Sequence, residues 1–186
     1  MYPFVRLLWQ LWRHRSDPPL GLAETHVSHH LCLPWDLDGF GEMNNGRVLT
    51  LMDLGRFTAS QRLGLMAALG RERWGFAVAG GSTRYRRRIP PFARIEMRTR
   101  LAAWDQRFFY VVQEMWVGGE CACQALLRTA VTARDPRPDG SRSVPTAEVL
   151  AALGRDEPAP AVPPWIAAWI AADAGRPWPP EGPAAR

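Results

Sequence analysis

A short run of acidic residues and amides holds the residue types most able to do chemistry in this 186-residue chain. Asp36 and Asp38 are separated by one residue, and Glu42, Asn44 and Asn45 follow them. A carboxylate acts as a general base or a nucleophile, and an asparagine pair before an apolar run is typical of a helix start. The run therefore predicts a turn into a helix, with acidic groups held close to the helix N-terminus.

The helix after this turn is predicted from apolar residues that recur every three or four positions, namely Val48, Leu51, Met52, Gly55, Ala59, Leu63 and Met66. It is expected to run to about Leu69, with Gly70 as its stop, or to break earlier at Gly64. One strand is predicted before the turn, and four follow the helix, joined mostly as a meander: residues 25–33, 76–89, 93–104, 107–117 and 120–134. This order predicts an α+β domain in which an antiparallel sheet wraps around one long central helix.

Three regions are predicted along the chain. Residues 1–24 form an amphipathic helix and linker, residues 25–135 the central domain, and residues 136–186 a proline-rich extension with short helices. The first helix places five apolar side chains on one stripe, Phe4, Val5, Leu8, Trp9 and Trp12. Two interpretations stay open: the stripe packs on its own domain or a partner subunit, or residues 1–15 form a peripheral membrane contact.

Composition narrows the function classes. The net charge is +5, and every basic residue is arginine, which is more typical of coding bias than of a particular ligand. No nucleic-acid-binding module accompanies the arginines, so nucleic-acid binding is not predicted. Three cysteines, only two of them in a C-x-C pair, favour a reducing cytoplasmic setting, and no metal site or cofactor is predicted.

Several segments together resemble a known family. They are Asp36-Leu37-Asp38, Met43-Asn44-Asn45-Gly46-Arg47, "LMDLGR", "YRRRIPPF" and "RLAAWDQRFFYVVQEMW". In order and spacing, over about residues 27–134, they are similar to hotdog-fold acyl-CoA thioesterases of the 4-hydroxybenzoyl-CoA type, in the thioesterase-like branch. The resemblance implies a hotdog fold, hydrolysis of an acyl-CoA thioester to free acid and CoA, and a homodimer or tetramer with substrate at the subunit interface.

The resemblance also implies roles for particular residues. Asp38 matches the catalytic carboxylate, and Asn45 matches the position whose backbone N–H polarises the thioester carbonyl. Glu42 stands where the family often has histidine, and Val48 where it often has tyrosine. The alternative function is a non-catalytic hotdog dimer that binds acyl ligands or partner proteins, including at a membrane surface.

Other residues have both a structural and a functional interpretation. Asp36 and Glu42 are secondary candidates that also suit a solvated turn or a helix start, and Asn44 suits a helix cap. Asp53 is a reserve carboxylate that also suits an ordinary helical pair with Arg56. The arginine run that includes Arg84 and Arg86 either binds CoA phosphates, helped by Arg107, or is a solvated strand face, and the resemblance favours the CoA interpretation. Strand aromatics such as Phe109 either line an acyl pocket or fill the core.

Overall fold

The computed structural model describes residues 2–177 and residue 179. Its elements follow in the order α1 (Phe4–Arg13), β1 (Thr25–Leu31), a 3-10 turn (Pro34–Asp36), α2 (Asn45–Arg62), α3 (Leu65–Glu72), β2 (Trp74–Tyr85), β3 (Arg94–Trp104), β4 (Phe109–Val117), β5 (Glu120–Ala133), β6 (Ser143–Val144), α4 (Thr146–Ala152) and α5 (Pro164–Ala174). The described residues do not include Met1, Trp178 or residues 180–186. Trp178 and residues 180–186 belong to the predicted proline-rich extension. The predicted order of one strand, a helix and four strands is confirmed.

The strands form one antiparallel sheet in the order β1-β3-β4-β5-β2, and β6 pairs with the end of β5. Strands β3, β4 and β5 form the expected meander. Strand β2 does not continue it, because it pairs along its whole length with β5 rather than with β3. Alternation of apolar and polar residues marks which face of a strand is buried but does not name its neighbour, so this placement could not be predicted from sequence.

Helix α2 lies against one face of this sheet. Apolar side chains of the helix and of strands β3, β4 and β5 form a common core, which includes Leu51, Met52, Ile95, Met97 and Met115, all fully buried. Gly55 makes the contact close, because a Cβ atom there would lie 2.5 Å from the Met97 sulfur. The antiparallel sheet around one central helix confirms the predicted hotdog fold.

The central helix is shorter than its apolar repeat. It ends at Arg62, and Gly64 adopts a left-handed conformation with a φ of 79° before α3 begins. Glycine takes this conformation without steric cost, so the break falls at the earlier of the two predicted positions. After the break the chain runs in a new direction, so the apolar stripe of α2 does not continue into α3. Met66 keeps the spacing of the buried residues in α2 but is 38% exposed.

Elements of the described chain after residue 135 pack on the same sheet. Val144 of β6 and Val149 and Leu150 of α4 join a buried cluster that extends the core beyond α2. Helix α5 covers part of the opposite sheet face, where Ile166 is fully buried against Tyr110 and its neighbours. Helices therefore pack on both faces of the sheet.

Candidate functional site

The loop between the 3-10 turn and α2 folds back on itself as a narrow turn. Leu37 and Met43 form an isolated antiparallel bridge, and the Asp38 N–H donates to the Glu42 carbonyl at 2.8 Å. At the tip, Gly41 has a φ of 73°, which favours glycine, and its N–H donates to the Asp38 carbonyl at 3.2 Å. The turn thus fixes the backbone of Asp38 beside that of Glu42.

The Asp38 side chain is half-buried and has one local hydrogen bond. Its Oδ1 accepts the Phe40 N–H at 2.8 Å, which is the geometry of an Asx turn. This contact stabilises the loop and orients the carboxylate, while Oδ2 has no hydrogen-bond donor among the described residues. The carboxylate therefore keeps an oxygen for a water molecule or a substrate.

Asp36 has a different environment from Asp38, because its side chain is fully buried. It accepts hydrogen bonds from Arg6 Nη1 at 2.7 Å, from Arg47 Nε and Nη2 at 3.0 and 2.8 Å, and from the Leu33 N–H at 3.0 Å. Burial by itself raises the pKa of this carboxyl, but the Leu33 amide and the two guanidinium groups outweigh that effect. The pKa of Asp36 consequently lies below its ordinary value, and the charged carboxylate ties α1, the loop and α2 together.

The N-terminus of α2 offers an unpaired donor. The Asn44 side chain caps the helix by accepting the Gly46 N–H at 2.8 Å and the Arg47 N–H at 3.3 Å. The Asn45 N–H has no acceptor among the described residues, because it is the first N–H of the helix and the cap does not reach it. This donor lies at the positive end of the helix dipole, where a developing negative charge is stabilised.

Asn45 also lines a cavity of about 210 Å³ at this end of the helix, together with Glu42, Met43, Val48, Tyr85, Arg86, Arg87, Arg88, Ile89 and Cys123. Glu42 is paired with Arg88 at 3.1 Å, and Arg87 with Glu120 at 2.8 Å. The Arg86 side chain makes no ion pair with any residue between 2 and 177. A cavity with a free helix N–H and a free guanidinium suits an anionic ligand. Asp38 does not line the cavity. Its backbone N–H is hydrogen-bonded to the carbonyl of Glu42, which does.

The structure does not bring all predicted site residues to this cavity. Arg84 lines a separate groove with Trp165 and Trp169 on α5. Arg107 lies on the β3–β4 turn and stacks on Phe108 at 5.0 Å. The predicted arginine set is thus distributed over three places in the single chain, with only Arg86 at the helix N-terminus.

Asp53 belongs to a network inside the domain. It accepts hydrogen bonds from the Tyr2 hydroxyl at 2.8 Å and from Arg56 Nη2 at 2.7 Å. Arg56 is buried and also donates to Gln113 Oε1 at 2.5 Å. The pairing of Gln113 with Arg56 was not predicted, and its one signal was an amide within a mostly apolar strand. Both partners of Asp36, Arg6 and Arg47, were missed as well.

The cysteines and histidines do not add a reactive centre to this cavity. Burial raises the pKa of Cys123 to about 12, which disfavours the thiolate that a nucleophile or metal ligand requires. Burial likewise lowers the pKa of His30 to about 3, so this imidazole stays neutral. Within residues 2–177 and 179, no three His, Cys, Asp or Glu side chains lie close enough to hold a metal ion.

Comparison with solved structures supports the fold. YbaW from Escherichia coli, a probable thioesterase, superposes with a TM-score of 0.62 over 68% of this chain and 95% of its own, at 15% identity. The DHNA-CoA thioesterase from Staphylococcus aureus superposes with a TM-score of 0.59 over 81% of this chain and 91% of its own, at 14% identity. At this level of identity the two superpositions show a shared fold.

Sequence comparison supports the family. Protein THEM6 from Xenopus laevis is 36% identical over 111 residues, which are 59% of this chain and 54% of that protein. The chain spans about half the length of the curated relatives that it matches. The family model of the thioesterase-like superfamily matches residues 32–170. This range includes the loop, the central helix and strands β2 to β6. The chain therefore belongs to the thioesterase-like superfamily.

Proposed function

We propose that this protein is an acyl-CoA thioesterase of the 4-hydroxybenzoyl-CoA type, which hydrolyses an acyl-CoA to the free acid and CoA. The observation that carries this proposal is the unpaired Asn45 N–H, which lines a cavity at the start of α2. Superfamily membership and thioesterase neighbours of the same fold add support. The half-buried Asp38 carboxylate in the adjoining turn supplies the acid–base or nucleophilic group.

In the proposed reaction the thioester carbonyl oxygen accepts the Asn45 N–H. Preorganised donors of this kind stabilise the negative charge of the transition state by about 3 to 4 kcal/mol each. Asp38 either takes a proton from the attacking water or attacks the carbonyl carbon itself, giving an anhydride that water then hydrolyses. In both routes the carbon–sulfur bond breaks, CoA leaves as the thiolate and is protonated, and the acyl group leaves as the acid.

The free Arg86 guanidinium gives the proposed site an anchor for the CoA phosphates. Arginine presents a planar set of donors that suits phosphate oxygens, and this side chain is not engaged by a described carboxylate. Its place on the chain segment after β2 puts it beside the helix N-terminus, where the dipole also favours negative charge. The acyl end of the substrate would contact the apolar lining residues of this cavity, Met43, Val48 and Ile89.

A thiol-release assay over aromatic and aliphatic acyl-CoAs, from short to long, tests the proposed function. We expect CoA release above the uncatalysed rate for at least one class, with saturation kinetics. A denatured sample and free CoA without substrate are the controls. If no acyl-CoA is hydrolysed while acyl-CoA binding is intact, the protein is a non-catalytic acyl-binding hotdog protein. The Glu42–Arg88 pair, at the position where the family resemblance leads one to expect histidine, is the observation that favours this second candidate.

We also infer that the protein forms a homodimer through β2. Strand β2 is a long sheet edge with exposed small and apolar residues, among them Val78 at 49% exposure. Monomeric proteins usually protect such an edge with charges, prolines or a covering element. The opposite edge, β1, is covered over its last residues, because Gln10 of α1 donates to the His29 carbonyl and Arg6 donates to the Leu31 carbonyl.

Light scattering after size exclusion tests this interface. We expect a mass about twice that of the 20.9 kDa chain, or a tetramer built from such dimers. Val78→Glu places like charges near the centre of the paired strands and is expected to shift the protein towards a monomer. Val27→Glu is the matched control, since Val27 is an exposed valine on the opposite sheet edge, β1. An unchanged mass for Val78→Glu would contradict pairing through β2.

A further inference from the structure

Helix α1 presents most of its large apolar side chains to solvent, while Arg6 and Gln10 face the domain and Leu7 packs against its core. Its five large apolar residues Phe4, Val5, Leu8, Trp9 and Trp12 are 54% to 82% exposed. Gln10, on the opposite side of the helix, is buried, and Arg6 points inward to Asp36. The sequence left open whether the apolar stripe packs on the domain, and in this chain it does not.

Several hydrogen bonds fix this orientation. Besides the contact to Asp36, Arg6 Nη2 donates to the Leu31 carbonyl at 2.8 Å, and Gln10 Nε2 donates to the His29 carbonyl at 2.9 Å. Gln61 of α2 donates to the Leu11 carbonyl at 3.3 Å. Specific contacts of α1 to the sheet edge and to α2 therefore orient the helix so that its apolar stripe faces solvent.

The stripe has more basic than acidic neighbours along the chain. Residues 1–16 contain three arginines and no acidic residue, and Asp17, which follows, pairs with His14 at 2.6 Å. Arg13 and Arg15 are exposed at the C-terminal end of α1, and Arg15 lies over the Trp12 ring at 4.4 Å. Trp9 and Trp12 stack on each other at 5.1 Å. Tryptophan and arginine are the residues that favour the boundary between lipid headgroups and acyl chains.

We propose that α1 is an interfacial helix that docks the protein on an anionic lipid bilayer. Its exposed stripe would lie in the headgroup region, and the arginines at its end would meet the anionic headgroups. The helix is too short to cross the membrane, and among residues 2–177 and 179 no helix has the length and apolarity to do so.

A bilayer fits this surface better than a protein partner. A helix of ten residues is about 15 Å long, so the single face that α1 exposes is small. A stable protein interface buries about 800 Å² on each partner. A bilayer has no such requirement, because a single amphipathic helix with a basic rim is sufficient for peripheral binding. This inference is independent of thioester hydrolysis, and it concerns a surface other than the cavity at the start of α2.

Vesicle flotation with the full chain tests the proposal, with vesicles of phosphatidylcholine alone and with a third phosphatidylglycerol. We expect the wild-type protein to float with the anionic vesicles and to be released by salt. The double variant Leu8→Glu/Trp9→Glu is expected to bind at least about tenfold more weakly, because its exposed apolar stripe is interrupted. Trp165→Glu is the matched control: Trp165 is 46% exposed on α5, and this variant is expected to float like the wild type.

Arg13→Glu/Arg15→Glu separates charge from apolar contact. It is expected to lose the preference for anionic vesicles. Circular dichroism and thermal unfolding of each variant establish that the fold is kept. The proposal is overturned if the wild-type protein stays unbound to both vesicles, or if Leu8→Glu/Trp9→Glu floats as well as the wild type. A change of that variant from dimer to monomer, without lipid binding by the wild type, would instead assign the stripe to a protein interface.

Discussion

Asp38→Asn is expected to lower kcat/KM for acyl-CoA hydrolysis by about 10² to 10⁴, the usual contribution of a positioned general base. The substitution removes the charge and the basicity of the side chain but keeps an oxygen at the Oδ1 position. The amide side chain can therefore still accept the Phe40 N–H that forms the Asx turn. A loss of activity would then indicate a catalytic role for the carboxylate rather than a change in the loop conformation. The rate of CoA release, with the substrate found in the screen, measures this loss.

Glu42→Gln is the matched control for this prediction. Glu42 lies in the same turn, and its ion pair with Arg88 is largely exposed on the arginine side. Loss of such a pair costs little, so kcat is expected to stay within a few-fold of the wild type. A folded Asp38→Asn protein that hydrolyses acyl-CoA at the wild-type rate would remove Asp38 from the mechanism. A large loss for Glu42→Gln alone would move the catalytic assignment to that residue.

The local parts of the fold were predictable because they depend on neighbouring residues. The Asn44 cap, the Gly64 break and the alternation of β3 all follow from residue types within one turn or strand. The pairing of β2 with β5 was not predictable, because β2 lies about 35 residues before β5 and its alternation does not identify a partner.

The candidate site likewise has some features that neighbouring residues predicted and others that depend on distant residues. The short spacing from Asp36 to Asn45 predicted a carboxylate beside a helix start, and the resemblance distinguished Asp38 within it. The sequence did not predict that Asp36 is buried between Arg6 and Arg47, since the first of these partners is 30 residues away. Nor did it predict the outward face of α1, because a periodic stripe specifies one side of a helix but not what that side contacts.

Asp36→Asn is expected to lower the free energy of unfolding by about 3 to 5 kcal/mol at pH 7, because it removes the buried negative charge that the Arg6 and Arg47 guanidinium groups contact. Denaturant unfolding monitored by circular dichroism measures the change. Asp135→Asn is the matched control: Asp135 pairs with Arg73 on the surface, where both side chains are about 70% exposed. Its loss is expected to stay within about 0.5 kcal/mol.

The effect of Asp36→Asn should also depend on pH in a defined direction. The pKa of Asp36 is lowered in the folded protein, so the carboxylate contributes its full stability above the unfolded pKa of about 3.9. That contribution is lost as the pH falls through the lower folded pKa, because protonation removes the charge that the two arginines contact. The difference between wild type and Asp36→Asn is therefore expected to be constant near neutrality and to shrink below about pH 4. A difference that is already small at pH 7 would mean that desolvation of the three charges cancels their attraction, and that α1 and α2 are held on the loop by their other contacts.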